Sequence, residues 1–131
     1  MKKDIVEQKA EQIGIALSKQ KTGEWRVYFI NFHESELENV LINSCGKGVV
    51  KGKEVKTSVL RHIIDKIASH KAVAFETMVE EVFALENEFK ITYFKNNRLF
   101  DGVISFKPGT IKKGKPEFID EIGEEAIIIK L

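Results

Sequence analysis

Hydrophobic and polar residues alternate with a period of two along much of the chain. The clearest case is Glu88-Phe89-Lys90-Ile91-Thr92-Tyr93-Phe94, where Phe89, Ile91 and Tyr93 share one face and Lys90 and Thr92 the other. Such alternation marks a half-buried strand. Asn96-Asn97 suits a tight turn with positive φ, and residues 99–106 return as the partner strand, ended by Pro108-Gly109. Residues 25–32 are rich in aromatic and β-branched side chains and read as a strong strand with both faces at least partly covered. After the polar turn His33-Glu34-Ser35-Glu36, residues 37–45 read as another strand. Residues 72–76 and 82–85 are shorter candidates.

Two segments follow a different pattern. In residues 4–19, Val6, Ala10, Ile13 and Leu17 recur at spacings of four, three and four, the signature of one helical face. Asp4 with Glu7 three positions on resembles a capping box, Gly14 weakens the helix, and Thr22-Gly23 ends it. This predicts a helix that packs on its own domain or serves in docking or dimerisation. In residues 57–69, Val59, Leu60, Ile63, Ile64 and Ile67 fit a helical face capped by Thr57 or Ser58, or a strand over 58–64. The β-rich surroundings favour the strand. Residues 110–131 carry only weak short elements, and a weakly structured segment is expected over 112–131.

The expected architecture is therefore a single, mainly β domain over residues 1–131. It would be an antiparallel immunoglobulin-like β-sandwich with an N-terminal helix at about 4–19 and a β-rich body at about 25–111. The alternative is an α+β fold with residues 57–69 helical. Phe29-Ile30-Asn31-Phe32 followed by Leu37-Glu38-Asn39-Val40 resembles the first hairpin of immunoglobulin-like sandwiches. The Cys-Trp-Cys pattern of antibody domains is not available, because Cys45 is the single cysteine.

Composition narrows the class further. The 131 residues are 43% hydrophobic and 31% charged, with a formal net charge of +1, the balance of an ordinary globular domain rather than a collagen-like, disulfide-scaffold or disordered chain. No apolar run follows the charged start, as a signal peptide requires. The longest apolar run, Ala126-Ile127-Ile128-Ile129, is far short of a membrane span. One cysteine allows no intrachain disulfide, so the expected compartment is the reducing cytoplasm.

Few chemistries survive inspection. Gly46-Lys47-Gly48-Val49-Val50-Lys51-Gly52-Lys53-Glu54 fails the phosphate-loop pattern, because three rather than four residues separate Gly48 and Gly52 and Glu54 stands where a hydroxyl belongs. A β-hairpin loop is the simpler reading. His33, His62 and His70 have no metal-ligand spacing, and His33 reads as a solvated turn residue. Cys45 with His62 or His70 would make a thiol–imidazole pair, but Cys45 ends an apolar strand and reads as structural. No cofactor, metal site or catalytic residue is assigned.

Charge is more informative. Lys47, Lys51, Lys53 and Lys56 crowd one loop, and Lys107, Lys112, Lys113 and Lys115 another. Glu76, Glu80, Glu81, Glu86 and Glu88 form an acidic stretch, and Glu117, Asp120, Glu121, Glu124 and Glu125 a second. Lys47, Lys51, Lys53, Lys112, Lys113 and Lys115 are therefore candidate phosphate contacts, with Arg61 or Arg98 as an added bidentate grip.

The blocks Asn39-Val40-Leu41-Ile42-Asn43-Ser44, Lys56-Thr57-Ser58-Val59-Leu60-Arg61-His62, Asn87-Glu88-Phe89 and Phe106-Lys107-Pro108-Gly109-Thr110-Ile111 resemble a short bacterial family of uncharacterised proteins, some of which carry a phenylalanyl-tRNA synthetase label. The resemblance implies no catalytic residue. With only Arg26, Arg61 and Arg98, the chain lacks the arginines and the length of a synthetase core, so the label would imply an accessory or RNA-associated module. The leading expectation is a non-enzymatic binding or interaction domain. Its sheet edge or N-terminal helix would recruit a protein partner or a second copy. An RNA-binding accessory module using the two lysine loops is the alternative, and a small thiol enzyme the third. No membrane partner is expected.

Overall fold

The structure, a computed structural model, describes residues 8–131. In chain order the elements are β1 (Gln8–Lys9), β2 (Ile13–Lys19), β3 (Trp25–Asn31), β4 (Leu37–Val50), β5 (Lys53–Lys56), β6 (Leu60–Ile67) and β7 (Ala72–Met78). A 3-10 turn (Glu80–Ala84), β8 (Glu86–Lys95), β9 (Arg98–Phe106), a one-turn helix α1 (Thr110–Lys113), β10 (Glu117–Ile119) and β11 (Glu124–Lys130) complete the chain. One sheet has the order β1-β9-β8-β4-β5, with β6 also paired to β4; the other has the order β10-β11-β2-β3-β7. The pairings are antiparallel except that of β1 with β9. The result is a β-sandwich. Ile15, Leu17, Val27, Phe29, Val40, Ile42, Phe89, Ile91 and Ile104 fill the space between the sheets, each at most 1% exposed. Each contributes about 1.5–3 kcal/mol.

The expected N-terminal helix is not there. Residues 8–9 and 13–19 are strands, and residues 4–7 of that expectation lie outside the described residues. The helix-like spacing of Ala10, Ile13 and Leu17 competes with a period-two set, Ile13, Ile15 and Leu17, all fully buried. Between them Gly14, Ala16 and Ser18 are small because the outer face of β2 is also covered. A Cβ on Gly14 would stand 3.1 Å from Phe32 Cε2 and 3.3 Å from Ile128 Cδ1. The helix in this fold is α1, near residue 110.

Four other expectations change. Residues 60–67 are strand, so the α+β alternative falls. Residues 80–84 form a 3-10 turn rather than a strand over 82–85. The C-terminal segment is not weakly structured over its length, because β11 pairs along β2 from Ile127 opposite Leu17 to Lys130 opposite Gly14. The turn after β10 lays Ile119 and Ile122 over Ala16, Ile30 and Ala126 as a second, smaller core. Finally, β3 and β4 are not a hairpin. They lie in different sheets, and the chain crosses between them at residues 32–36.

That crossover is pinned by buried polar groups. Asn31 is fully buried, and its Nδ2 faces the carbonyl oxygens of Ser35 at 2.9 Å, Ala68 at 3.1 Å and Ile67 at 3.2 Å. Its Oδ1 accepts from His33 N–H at 2.8 Å. Ser69 Oγ donates to His33 O. One side chain thus ties the β3–β4 crossover to the β6–β7 crossover. His33, expected in solvent, is 2% exposed, with Nε2 3.3 Å from Tyr93 Oη and Nδ1 3.5 Å from Lys95 Nζ. Burial first, and the Lys95 charge second, hold its pKa below the ordinary 6.5.

Replacing Asn31 with Ala removes the amide donor shared by the two crossovers and leaves the buried His33 N–H without its acceptor, and is expected to cost on the order of 3 kcal/mol in a denaturant titration. The neutral His33 imidazole sets a pH dependence. With the folded pKa below the unfolded 6.5, this contribution is fully present above about 6.5. It is lost progressively as pH falls through that value toward the lower folded pKa. The wild type is expected to lose stability over that acid window, and His33→Gln to lose less.

Candidate functional site

Chemistry-bearing groups converge on a cleft at the open edge between β6 and β7. β6 is an edge strand of its sheet and β7 an edge strand of the other. The two are joined by the turn at 68–71. Away from that turn the sheets leave a cleft of about 280 Å³ between them. Leu60, Met78, Val79 and Val82 form its walls, and Phe89 and Ser44 also line it. Leu60 and Val79 are about half exposed, at 48% and 45%, so the mouth is apolar and open to solvent.

Its one charged lining residue is Glu76. A β-bulge turns it inward. Val27 faces Glu76 across the β3–β7 ladder and Tyr28 faces Ala74, which leaves Phe75 without an opposite number. An extra residue in one strand resets which side chains face the core. Val73 and Phe75 pack against the core before the reset, and Met78, 8% exposed, does so after it. Glu76 joins that inward set, its side chain only 8% exposed.

β4 supplies the first partner. Val40, Ile42 and Ser44 alternate inward along it, so Ser44, 5% exposed, is a hydroxyl on an otherwise apolar face. Ser44 Oγ donates to Glu76 Oε1 at 2.6 Å. His62 on β6 places Nε2 2.9 Å from the same oxygen. The imidazole is steadied by an edge-on contact with Phe75, ring centroids 5.0 Å apart. Phe75 meets Phe89 and Phe89 meets Phe106 in the same edge-on manner, which carries the packing from the cleft into the core.

The order of these groups decides what they can do. In a serine hydrolase the imidazole stands between hydroxyl and carboxylate and takes the hydroxyl proton. Here the carboxylate stands in the middle, so His62 has no route to Ser44 Oγ. The arrangement holds a carboxylate in place rather than activating a nucleophile. Cys45 does not form the expected thiol–imidazole pair either. Its sulfur has a single weak contact, to Gly46 O at 3.8 Å, while His62 engages Glu76 and His70 engages Glu34 at 2.9 Å. No group of three His, Cys, Asp or Glu able to hold a metal occurs among the described residues.

The lysine loops come together at one end of the sandwich. The glycine-rich loop is a hairpin of β4 and β5, with Lys47 opposite Lys56. Across the neighbouring ladder Lys47 is opposite Glu86, and Lys107 Nζ reaches Glu86 at 3.0 Å. Lys47 also pairs with Glu88 at 3.2 Å, and Lys112 with Glu80 at 3.6 Å. Lys51 and Lys53 occupy the hairpin tip, Lys113 ends α1 and Lys115 follows it, all without an ion pair among the described residues. Of the six candidate phosphate contacts, Lys47 and Lys112 are therefore engaged by glutamates. Within the acidic stretch, Ser105 and Lys107 lower the Glu86 pKa, and Trp25 and Lys19 that of Glu80.

The Ser44–Glu76–His62 cluster is missing from the sequence reading. A signal for Ser44 was present, as a polar residue in phase with Val40 and Ile42. For Glu76 there was none, because its inward direction depends on the bulge. Compared with family models, curated proteins and solved structures, the chain matches none.

If Glu76 were kept for stability, removing it would weaken the fold. The Ser44→Ala/Glu76→Met double variant removes the hydroxyl donor and its acceptor together and leaves His62, whose side chain is 22% exposed, to solvent, a change that is often neutral or stabilising. Its unfolding free energy is expected to lie within about 1 kcal/mol of wild type or above it. A loss beyond about 2 kcal/mol would assign the cluster a structural role instead.

Proposed function

We propose that the protein is a non-catalytic binding domain on an immunoglobulin-like sandwich, and that its ligand enters the cleft between β6 and β7. The neighbour relations support the immunoglobulin-like assignment. β2, β3 and β7 are adjacent in one sheet and β4, β8 and β9 in the other, the adjacency of strands A, B, E and C, F, G in that fold. One departure matters. β6 pairs with β4 rather than β7, which leaves β7 without a partner on its outer side among the described residues and the sandwich open there.

The observation that carries the binding reading is the apolar, open cleft with one oriented carboxylate on its wall. Small-ligand sites are concave and mostly apolar, with a few convergent polar groups. An uncharged, environment-sensitive probe, N-phenyl-1-naphthylamine, is expected to bind wild type with enhanced fluorescence. Ser58 is an exposed lining residue at the mouth. Ser58→Trp is expected to weaken that binding at least tenfold without changing the unfolding midpoint, and equal binding by the variant would overturn the assignment to this cleft.

A second reading, an RNA-binding accessory module as the synthetase-labelled resemblance implies, is favoured by the meeting of both lysine loops at Glu86. The pairing of Lys47 and Lys112 with glutamates weakens it. Under this reading a gel shift with total tRNA weakens by orders of magnitude between about 50 and about 200 mM salt. Our preferred reading expects no shift at the lower salt.

A further inference from the structure

We infer that the cleft selects a small ligand with a primary ammonium group on a compact apolar body, and that Glu76 receives the ammonium. This rests on the cleft being the binding site, and adds the chemistry of the ligand.

The inference comes from the two oxygens of one carboxylate. Oε1 takes the Ser44 hydroxyl proton and lies against His62 Nε2, so it is already occupied. Oε2 has no hydrogen-bond partner among the described residues, yet it is not one of their sealed, unpartnered buried atoms. Oε2 therefore keeps access to solvent, on a residue that lines the cleft. Ser44 and His62 fix the orientation, so this acceptor is aimed before any ligand arrives.

Charge then selects the ligand. No Lys, Arg or His lines the cleft with Glu76. An apolar occupant that displaced water from Oε2 would leave that oxygen desolvated and without a donor, which is costly. A carboxylate- or phosphate-bearing occupant would add repulsion. An ammonium brings to Oε2 the positive charge and N–H donor that the cleft lining lacks, and charge-assisted hydrogen bonds of this kind are the strong ones. A quaternary ammonium has no such donor. Leu60, Met78, Val82 and Phe89 then cover the apolar body, and a volume of about 280 Å³ limits it to a small molecule of no more than about three aromatic rings.

Three probes of similar shape test this: 2-phenylethylammonium, 2-phenylethanol and 3-phenylpropanoate, each titrated against the full chain by NMR and by displacement of the fluorescent probe. The ammonium is expected to bind at least tenfold tighter than the alcohol, and the carboxylate more weakly than either. Glu76→Gln is expected to bring ammonium and alcohol within about threefold while the alcohol still binds. The comparison within wild type requires no variant, so a poorly folded Glu76→Gln protein does not blunt it. Equal binding of ammonium and alcohol by wild type would overturn the ammonium inference and leave the cleft standing. Failure of all three probes and of the fluorescent probe would overturn the cleft as a site. Ammonium selectivity that Glu76→Gln leaves intact in a folded protein would overturn the assignment to Glu76.

Discussion

The buried amide of Asn31 is the interaction on which the rest of the structure depends. A sandwich needs chain segments that leave one sheet and enter the other, and each crossing breaks two ladders and exposes backbone polar groups to an apolar interior. Here two crossings, β3 to β4 and β6 to β7, run side by side, and Asn31 answers the carbonyls of both. Ser69 closes on His33, and His33 in turn meets Tyr93. Tyr93 Oη contacts the backbone of Glu11, where the chain passes from β1 to β2. One polar chain thus fixes three crossings at one end of the molecule. It also fixes where β6 and β7 begin to diverge.

That divergence makes the cleft. At the turn β6 and β7 are held together, and Ile64, Val73 and Phe75 fill the space beyond it. Further along, the bulge replaces an apolar inward position with Glu76, and β4 offers Ser44 rather than another isoleucine. Both choices reduce what the core gains from burial. A carboxylate at 8% exposure with two partners on one oxygen is poorly explained by stability.

The opposite end shows how charge that looks segregated in sequence is mixed in space. The lysines of residues 47–56 and 107–115 and the glutamates of residues 76–88 form separate blocks along the chain. Antiparallel pairing interleaves them: Lys47 with Glu88, Lys107 with Glu86, Lys112 with Glu80. These exposed pairs contribute little to stability, but they offset the charge of Lys47, Lys107 and Lys112 locally.

Period-two alternation is a local property, so the sequence alone determined strands at 25–32, 88–94 and 99–106, observed at 25–31, 86–95 and 98–106, and the Asn96-Asn97 turn, whose residues adopt φ of 51° and 62°. The same locality made it misread β2, where a strand covered on both faces mimics a helical face, and β11, whose continuous apolar run has no period of its own. It saw strands at 25–32 and 37–45 but not that they belong to different sheets, because the buried amide joining the crossings draws its partners from residues 35, 67 and 68. The site was the least legible part. Ser44 was visible as an interruption of an apolar face, but only the tertiary structure decided the direction of Glu76, since a bulge is defined by the partner strand. Only the folding of β6 against β4 brought His62 to it, because strand pairing is a relation between distant segments that no local pattern contains.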